Sequence, residues 1–265
     1  MRLNFIFHRD ENYGSFLFNR GGDPISLEML KKSCGRSSPS IIIHDFRESV
    51  HSMQRDVFLL DKYERSYYFI DMAKGKDTKL TVLEAGLDMA SQLGLECVTI
   101  GNLAKTTNMS KSGLFAHFQS KENLQIEILH YAARLFSEGV IVPALKVEAG
   151  IPRIRALVDN WIQWTAELTG GCIFVSASGD FSDRPGKVRD VLLHQQEEWV
   201  DCLRRIARSA VEAGDFRQDI DDDQFAFDLY SLLLGFHLYY KLLDDAETRK
   251  HEETALLRLL NSYKR

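Results

Sequence analysis

The chain has 265 residues and a formal charge of −5, with 33 lysines and arginines against 38 acids. That balance excludes a globally basic nucleic-acid coat, so any contact with nucleic acid has to be local. Cys34, Cys97, Cys172 and Cys202 lie far apart with no CxxC pair, which argues against a disulfide framework or a zinc site and fits a reducing cytoplasm.

Residues 1–75 carry turn signals such as "RGGDP" and "SCGRSSPS" and one strand-like run, "SIIIHDF". An irregular extension is expected there. The opening "MRLNFIFHRDENY" lacks the apolar stretch of a secretory signal, and no long uncharged apolar run offers a membrane span. From Thr78 onward the pattern is helical almost to the end, so the fold class is all-α. In "TKLTVLEAGLDMASQLG", Leu80, Leu83, Leu87 and Ala90 recur at helical spacing, and Gly94 suits a left-handed cap. Thr99 is placed to cap a short helix with Ile100, Leu103 and Ala104 facing inward. Asn108 suits the left-handed turn that follows. Ser110 then caps "KSGLFAHF", and Ser120 caps a longer helix whose first turn holds Glu122.

Two short helices across a tight turn read as a helix-turn-helix, completed by the preceding helix into a three-helix head over residues 76–124. A recognition helix presents its N-terminal end to the major groove. Lys111 and Ser112 stand there as donors, and Gly113 allows close approach. Leu114 and Phe118 are core candidates, whereas Phe115 and His117 flank the outer side. Lys121, with the free amides of its helix, is placed to hold a phosphate. Lys74, Lys76 and Lys79 are expected to form a mobile basic arm.

The stretch "VTIGNLAKTTNMSKSGLFAHFQSKENL" resembles the DNA-binding signature of the tetracycline-repressor (TetR) family of bacterial regulators. The likeness is close over about residues 76–124 and loose over the helical remainder. It implies that Thr99, Lys111, Ser112, Gly113, Phe115, His117 and Lys121 face DNA. It implies further a double-stranded operator as partner, a homodimer, and a small-molecule effector bound in the C-terminal domain. Two departures stand out. Asn108 replaces the family's usual turn glycine. Phe115 stands where a tyrosine is common, so its contact is van der Waals only.

Residues 125–265 read as an effector-binding and dimerisation domain of long helices. Large rings recur there, and Trp161, Trp164, Phe174, Trp199, Phe227 and Tyr230 are candidates to line an apolar cavity. Cys172, in "TGGCIFVSASGDFSDRPG", is either a buried small residue or a thiol sensor, and nothing nearby lowers its pKa. The paired glycines before it permit tight approach. "DDDQFAFDLYSLLLGFHLYYKLLDD" opens with acids that suit a helix start and is apolar nearly all round, so a partner subunit is expected to cover it, with Leu233 and Tyr240 as contacts.

The rival classes are an enzyme of helical fold and an architectural DNA binder without effector. No Ser/His/Asp order, phosphate loop, outstanding carboxylate pair or metal-ligand spacing supports an enzyme, and neither cofactor nor metal is expected. The aromatic, weakly basic C-terminal half argues against the architectural reading. Met72 begins "MAKGKDTKLTVLEAG", which reads like an ordinary start for this family; residues 1–71 are then either upstream sequence, which their aromatic-rich, unpatterned composition favours, or an accessory segment that adds a partner or DNA contact. The segment "YERSY" can be encoded by an inverted repeat, as an operator upstream of Met72 would be; the codons decide.

Overall fold

The computed structural model describes residues 6–10, 14–18 and 75–265. The chain divides into two compact units, Met1–Phe58 and Leu59–Arg265. In the first, β1 (Ile6–Asp10) pairs antiparallel with β2 (Gly14–Phe18), Ile6 opposite Phe18 and Asp10 opposite Gly14. This hairpin occupies ten residues of a segment expected to be largely irregular. "IFHRD" has no apolar–polar alternation, so the sequence carries no strand period there. The "SIIIHDF" run, Lys74 and the Met72 start lie outside the described residues.

The second unit is helical. Its first helix, α1, spans Gly75–Leu93 and ends at Gly94, whose φ of 86° closes the helix as expected. A 3-10 turn, Leu95–Cys97, leads to α2 (Ile100–Thr106) and α3 (Lys111–Phe118). Three hydroxyls start three helices. Thr99 Oγ1 accepts from the Asn102 amide (3.1 Å), Ser110 Oγ from Gly113 (3.0 Å) and Ser120 Oγ from Asn123 (3.0 Å). Each such cap contributes about 1 kcal/mol. Asn108 takes the left-handed turn at φ 54°.

Val82, Leu83, Leu87, Leu103, Leu114 and Phe118 fill the space between α1, α2 and α3. Leu80, expected in that stripe, is 40 % exposed; it lies one turn before the packed stretch, and Val82 takes the inward place. Lys79 is not a mobile arm either. It sits within α1, pairs with Glu127 at 3.0 Å, and lies over the Phe118 ring.

From Ser120 the chain runs into α4 (Lys121–Phe136), a π-helical turn (Ser137–Ile141) and α5 (Val142–Leu145). This continuous rod is long and apolar enough to cross a membrane by length and composition, yet most of it is buried against the rest of the fold. It is the central helix of the unit. Against it pack α6 (Ile151–Glu167) and α8 (Lys187–Glu212); α7 (Ile173–Phe181) packs on α8 and α1 and meets the rod through Phe174 and Phe136, and α9 (Asp222–Leu238) packs on α8. A second π-helical turn (Tyr239–Leu243) and α10 (Thr248–Tyr263) close the chain.

The acids of "DDD" start α9 as expected. Asp221 accepts from the Gln224 amide (3.0 Å), while Asp222 and Asp223 pair with Arg208 and Arg204. The apolar surround of α9 is only partly buried. Leu233 is fully buried within the single chain, so it is core and not an interface residue. Phe227, Leu234 and Leu238 are exposed on α9, and Tyr239, Tyr240, Leu242 and Leu243 just beyond its end.

Candidate nucleic-acid interface and effector recess

The capped turn between α2 and α3 sets the geometry of the head. Burying Leu114 and Phe118 fixes the rotation of α3, and the opposite face is left to solvent. Lys111, Ser112, Phe115 and His117 are all exposed there, Phe115 by 56 %. Gly113 is half-buried, and a Cβ at that position would meet only Ser110 Oγ, at 3.0 Å. The space beyond Gly113 is therefore open for another molecule to approach. Lys111 lies across Gly101: a Cβ there would come within 3.9 Å of Lys111 Nζ. That glycine escaped the sequence reading, because its partner is on another helix.

Thr99 spends its hydroxyl lone pair on the α2 cap and still has a proton to donate. Lys121 differs from the other candidates. Its Nζ is 2.6 Å from Glu96 Oε1 in the 3-10 turn, and Arg184 reaches the other carboxylate oxygen at 3.4 Å. The hydrogen bond from Lys121, helped by both positive charges and opposed by partial burial, holds the Glu96 carboxyl below its usual range. Any phosphate reached by Lys121 shares that charge with Glu96.

A recess lies within the helical body beside α4. It measures about 480 Å³ counting its open mouth. Of the six rings expected to line it, Trp161, Phe174, Trp199 and Tyr230 do. Phe227 does not: it is 68 % exposed on the outer face of α9. Trp164 is buried behind the lining, edge-on to Phe136 with ring centroids 5.6 Å apart. Phe136 is the ring that sequence reasoning missed. It meets Trp164, Phe174 and Trp199 edge to face, and so knits α4 to three other helices.

The polar groups of the recess are few. Tyr230 donates its hydroxyl to Gln196 Oε1 (2.7 Å), and Gln196 Nε2 donates to the Phe174 carbonyl (3.3 Å). Gln195 donates to the Leu129 carbonyl (3.2 Å), which leaves its Oε1 buried without a donor; the Trp199 indole N–H is likewise buried without an acceptor. Cys172 lines the recess and is buried, and burial pushes its thiol up. It therefore lacks the thiolate character a sensor needs.

Head and body meet at a tight seam. The Gly170 amide donates to Ser91 Oγ (2.8 Å), and that hydroxyl donates to the Gly171 carbonyl (3.2 Å). A Cβ on Gly170 would sit 1.6 Å from the Ser91 carbonyl oxygen, so only glycine fits. Lys241 Nζ caps the end of α6, donating to the Leu168 (3.2 Å) and Thr169 (2.9 Å) carbonyls.

Comparison with known proteins agrees with this layout. Residues 82–128 match the family model described as bacterial regulatory proteins, tetR family. Residues 150–256 match the tetracyclin repressor-like C-terminal domain. A TetR transcriptional regulator from Chloroflexus aurantiacus is 23 % identical, with a TM-score of 0.64 over 72 % of this chain and 96 % of its own. AibR, solved in complex with isovaleryl coenzyme A and operator DNA, is 23 % identical with a TM-score of 0.52, over 69 % and 98 % of the two chains. A regulator from Saccharomonospora viridis, in complex with choline, is 20 % identical with a TM-score of 0.57, over 68 % and 95 %. No curated protein matches the chain. With both the capped helix-turn-helix head and the helical body matched by its models, this chain belongs to the tetracycline-repressor family of ligand-responsive, DNA-binding transcriptional regulators.

Proposed function

We propose that the protein is a homodimeric repressor, acting in the cytoplasm, that leaves its operator when a small, largely apolar effector enters the recess. The observation that carries this reading is the course of α4. It starts beside α3 at Lys121 and brings Ala133 and Phe136 to the recess, so one rod spans both. An effector that prefers one position of that rod biases the spacing of two heads on DNA, which is coupling through a two-state element.

In this reading the N-terminal end of α3 enters the major groove, with Lys111, Ser112 and Gly113 foremost. Thr99, Phe115, His117 and Lys121 contact sugar and phosphate around it. The second copy is held through α8 and α9, where Leu193, Phe227, Leu234 and Leu238 are exposed. Two fold neighbours carry ligands of opposite charge, an acyl coenzyme A and choline, which supports an effector site without choosing the charge of its ligand.

The test couples a thermal-shift screen of small molecules to operator footprinting. The expected result is a protected palindrome with half-sites about 10 base pairs apart or a multiple of that. At least one compound should raise the melting temperature and weaken the footprint. A wild-type protein that stays a folded monomer at micromolar concentration would remove the dimeric scheme.

A further inference from the structure

The recess is chemically one-sided. Its rings, Phe136, Trp161, Phe174, Trp199 and Tyr230, present π faces and edges. Among the described residues, neither lysine nor arginine lines it, whereas Glu198 does, with its side chain only 14 % exposed and its Oε1 3.8 Å from Nε2 of the exposed His194. The two other ionisable lining groups stay neutral, since burial pushes both the Cys172 thiol and the Tyr230 phenol up. An anionic ligand would thus enter an aromatic site with an acid on its wall and no cation to meet it, at a desolvation cost nothing offsets.

Two orphan polar atoms narrow the ligand further. Gln195 Oε1 is buried and lacks a donor. The bond from Gln195 Nε2 to the Leu129 carbonyl fixes which end of the amide is the oxygen. Trp199 Nε1–H is buried and lacks an acceptor. Both side chains are on α8, one turn apart, and Glu198 lies between them in sequence. A ligand that completes this set must bring a hydrogen-bond donor, an oxygen acceptor and an apolar body. A positive charge on the donor would gain from Glu198 and from the ring faces.

We propose that the effector is a protonated amine with an apolar, preferably aromatic, body and one hydroxyl or ether oxygen. Its ammonium N–H donates to Gln195 Oε1 with Glu198 as counter-charge, and its oxygen accepts from Trp199 Nε1. A quaternary ammonium lacks the N–H and leaves Gln195 unpaired. This inference rests on the reading of the recess as the effector site, and the two are separable by experiment.

Three probes share a phenyl ring, a two-carbon frame and a benzylic hydroxyl: 2-amino-1-phenylethanol, 1-phenyl-1,2-ethanediol and mandelate. They are cationic, neutral and anionic at neutral pH. Binding to the full chain is read by thermal shift and by quenching of tryptophan fluorescence, and operator release is read in parallel by footprinting. The amine is expected to bind about tenfold tighter than the diol, with mandelate the weakest. Glu198→Gln should bring amine and diol to within about twofold, and Gln195→Leu should weaken both, because the terminal hydroxyl of the diol also donates to Gln195 Oε1, with the larger loss for the amine. Equal or tighter binding of the diol or mandelate by the wild type overturns the proposal, as does no binding of the amine at millimolar concentration. Because the wild-type ranking stands alone, a variant that fails to fold does not rescue the idea. Amine binding without operator release supports this inference and overturns the regulatory coupling; release by the diol or mandelate alone does the reverse.

Discussion

The head and the body of this protein solve the burial of polar groups in opposite ways. In the head, the helix starts are satisfied from within three residues of sequence, by Thr99, Ser110 and Ser120. In the body, Gln195 Oε1 and Trp199 Nε1 are buried without partners beside a recess. An unsatisfied buried polar atom costs about 1–3 kcal/mol, so the body carries a penalty that a ligand can relieve. Among its described residues the head carries none of that kind and keeps its potential partners on the outside. A rigid, self-satisfied reader and an under-satisfied receiver are what a regulator with two linked sites needs.

Glycine substitutions sharpen that contrast, because the head and the seam use glycine for different ends. At Gly170 the alanine Cβ would collide with backbone, 1.6 Å from the Ser91 carbonyl oxygen and 2.2 Å from its carbon. Backbone cannot rotate away, so Gly170→Ala has to part α1 from the 168–171 turn. Two hydrogen bonds through Ser91 go with it. The expected loss is about 3–5 kcal/mol, from overpacking plus the broken bonds. Chemical denaturation would read it, and a variant as stable as the parent would show that the seam does not hold head to body.

At Gly113 the same chemistry should spare the fold and strike function. A Cβ there meets only Ser110 Oγ at 3.0 Å, and valine is no worse a helix former than glycine. Gly113→Val should therefore fold and dimerise, at worst losing the Ser110 cap, about 1 kcal/mol. Operator affinity should fall about a hundredfold, because the branched side chain blocks close approach, a loss of about 3 kcal/mol. Wild-type affinity would overturn the placement of α3. Lys111→Ala is the milder probe: its log–log salt slope should flatten by about one unit if the lysine neutralises one phosphate. Lys121→Ala should flatten it less, since Glu96 already holds that ammonium.

The same contrast decides what could be read from sequence. Caps and the Asn108 turn are local, made by a side chain and a backbone group a few residues apart, so residue type and spacing announce them. The Ser91–Gly170 seam joins residues 79 apart, and only the paired glycines hinted that something comes close. On α9 the apolar residues run all round, from Phe225 to Phe236, so the pattern has no phase. That is why Leu233 was placed outside when it is buried, and Phe227 inside when it is exposed, while Phe225 two residues earlier is core. The orphan atoms of the recess were illegible for a different reason. Gln195 and Trp199 are ordinary residues on one helix, and what each lacks is visible only once its neighbours are in place.

The smallest expected effect is a pH dependence at the seam. His237 lies against Gly171, where a Cβ would come within 2.6 Å of its Nε2, and that nitrogen is buried without a hydrogen-bond partner. Burial first, and the Lys241 charge second, lower the His237 pKa from its ordinary value of 6.5. As pH falls through 6.5 the unfolded chain takes up this proton before the folded one does. Stability therefore rises with pH in that window and is lost on acidification toward the folded pKa. His130 is lowered by burial too and acts in the same direction, whereas Glu252, raised by burial, acts in the opposite one. The comparison that isolates His237 is the drop in melting temperature from pH 7 to pH 5 in the wild type and in His237→Gln. The variant, which cannot take the proton, should drop by about 2 °C less. An equal drop in both would mean that the imidazole is already solvated in the folded state, and that His237 adds no pH dependence at the seam.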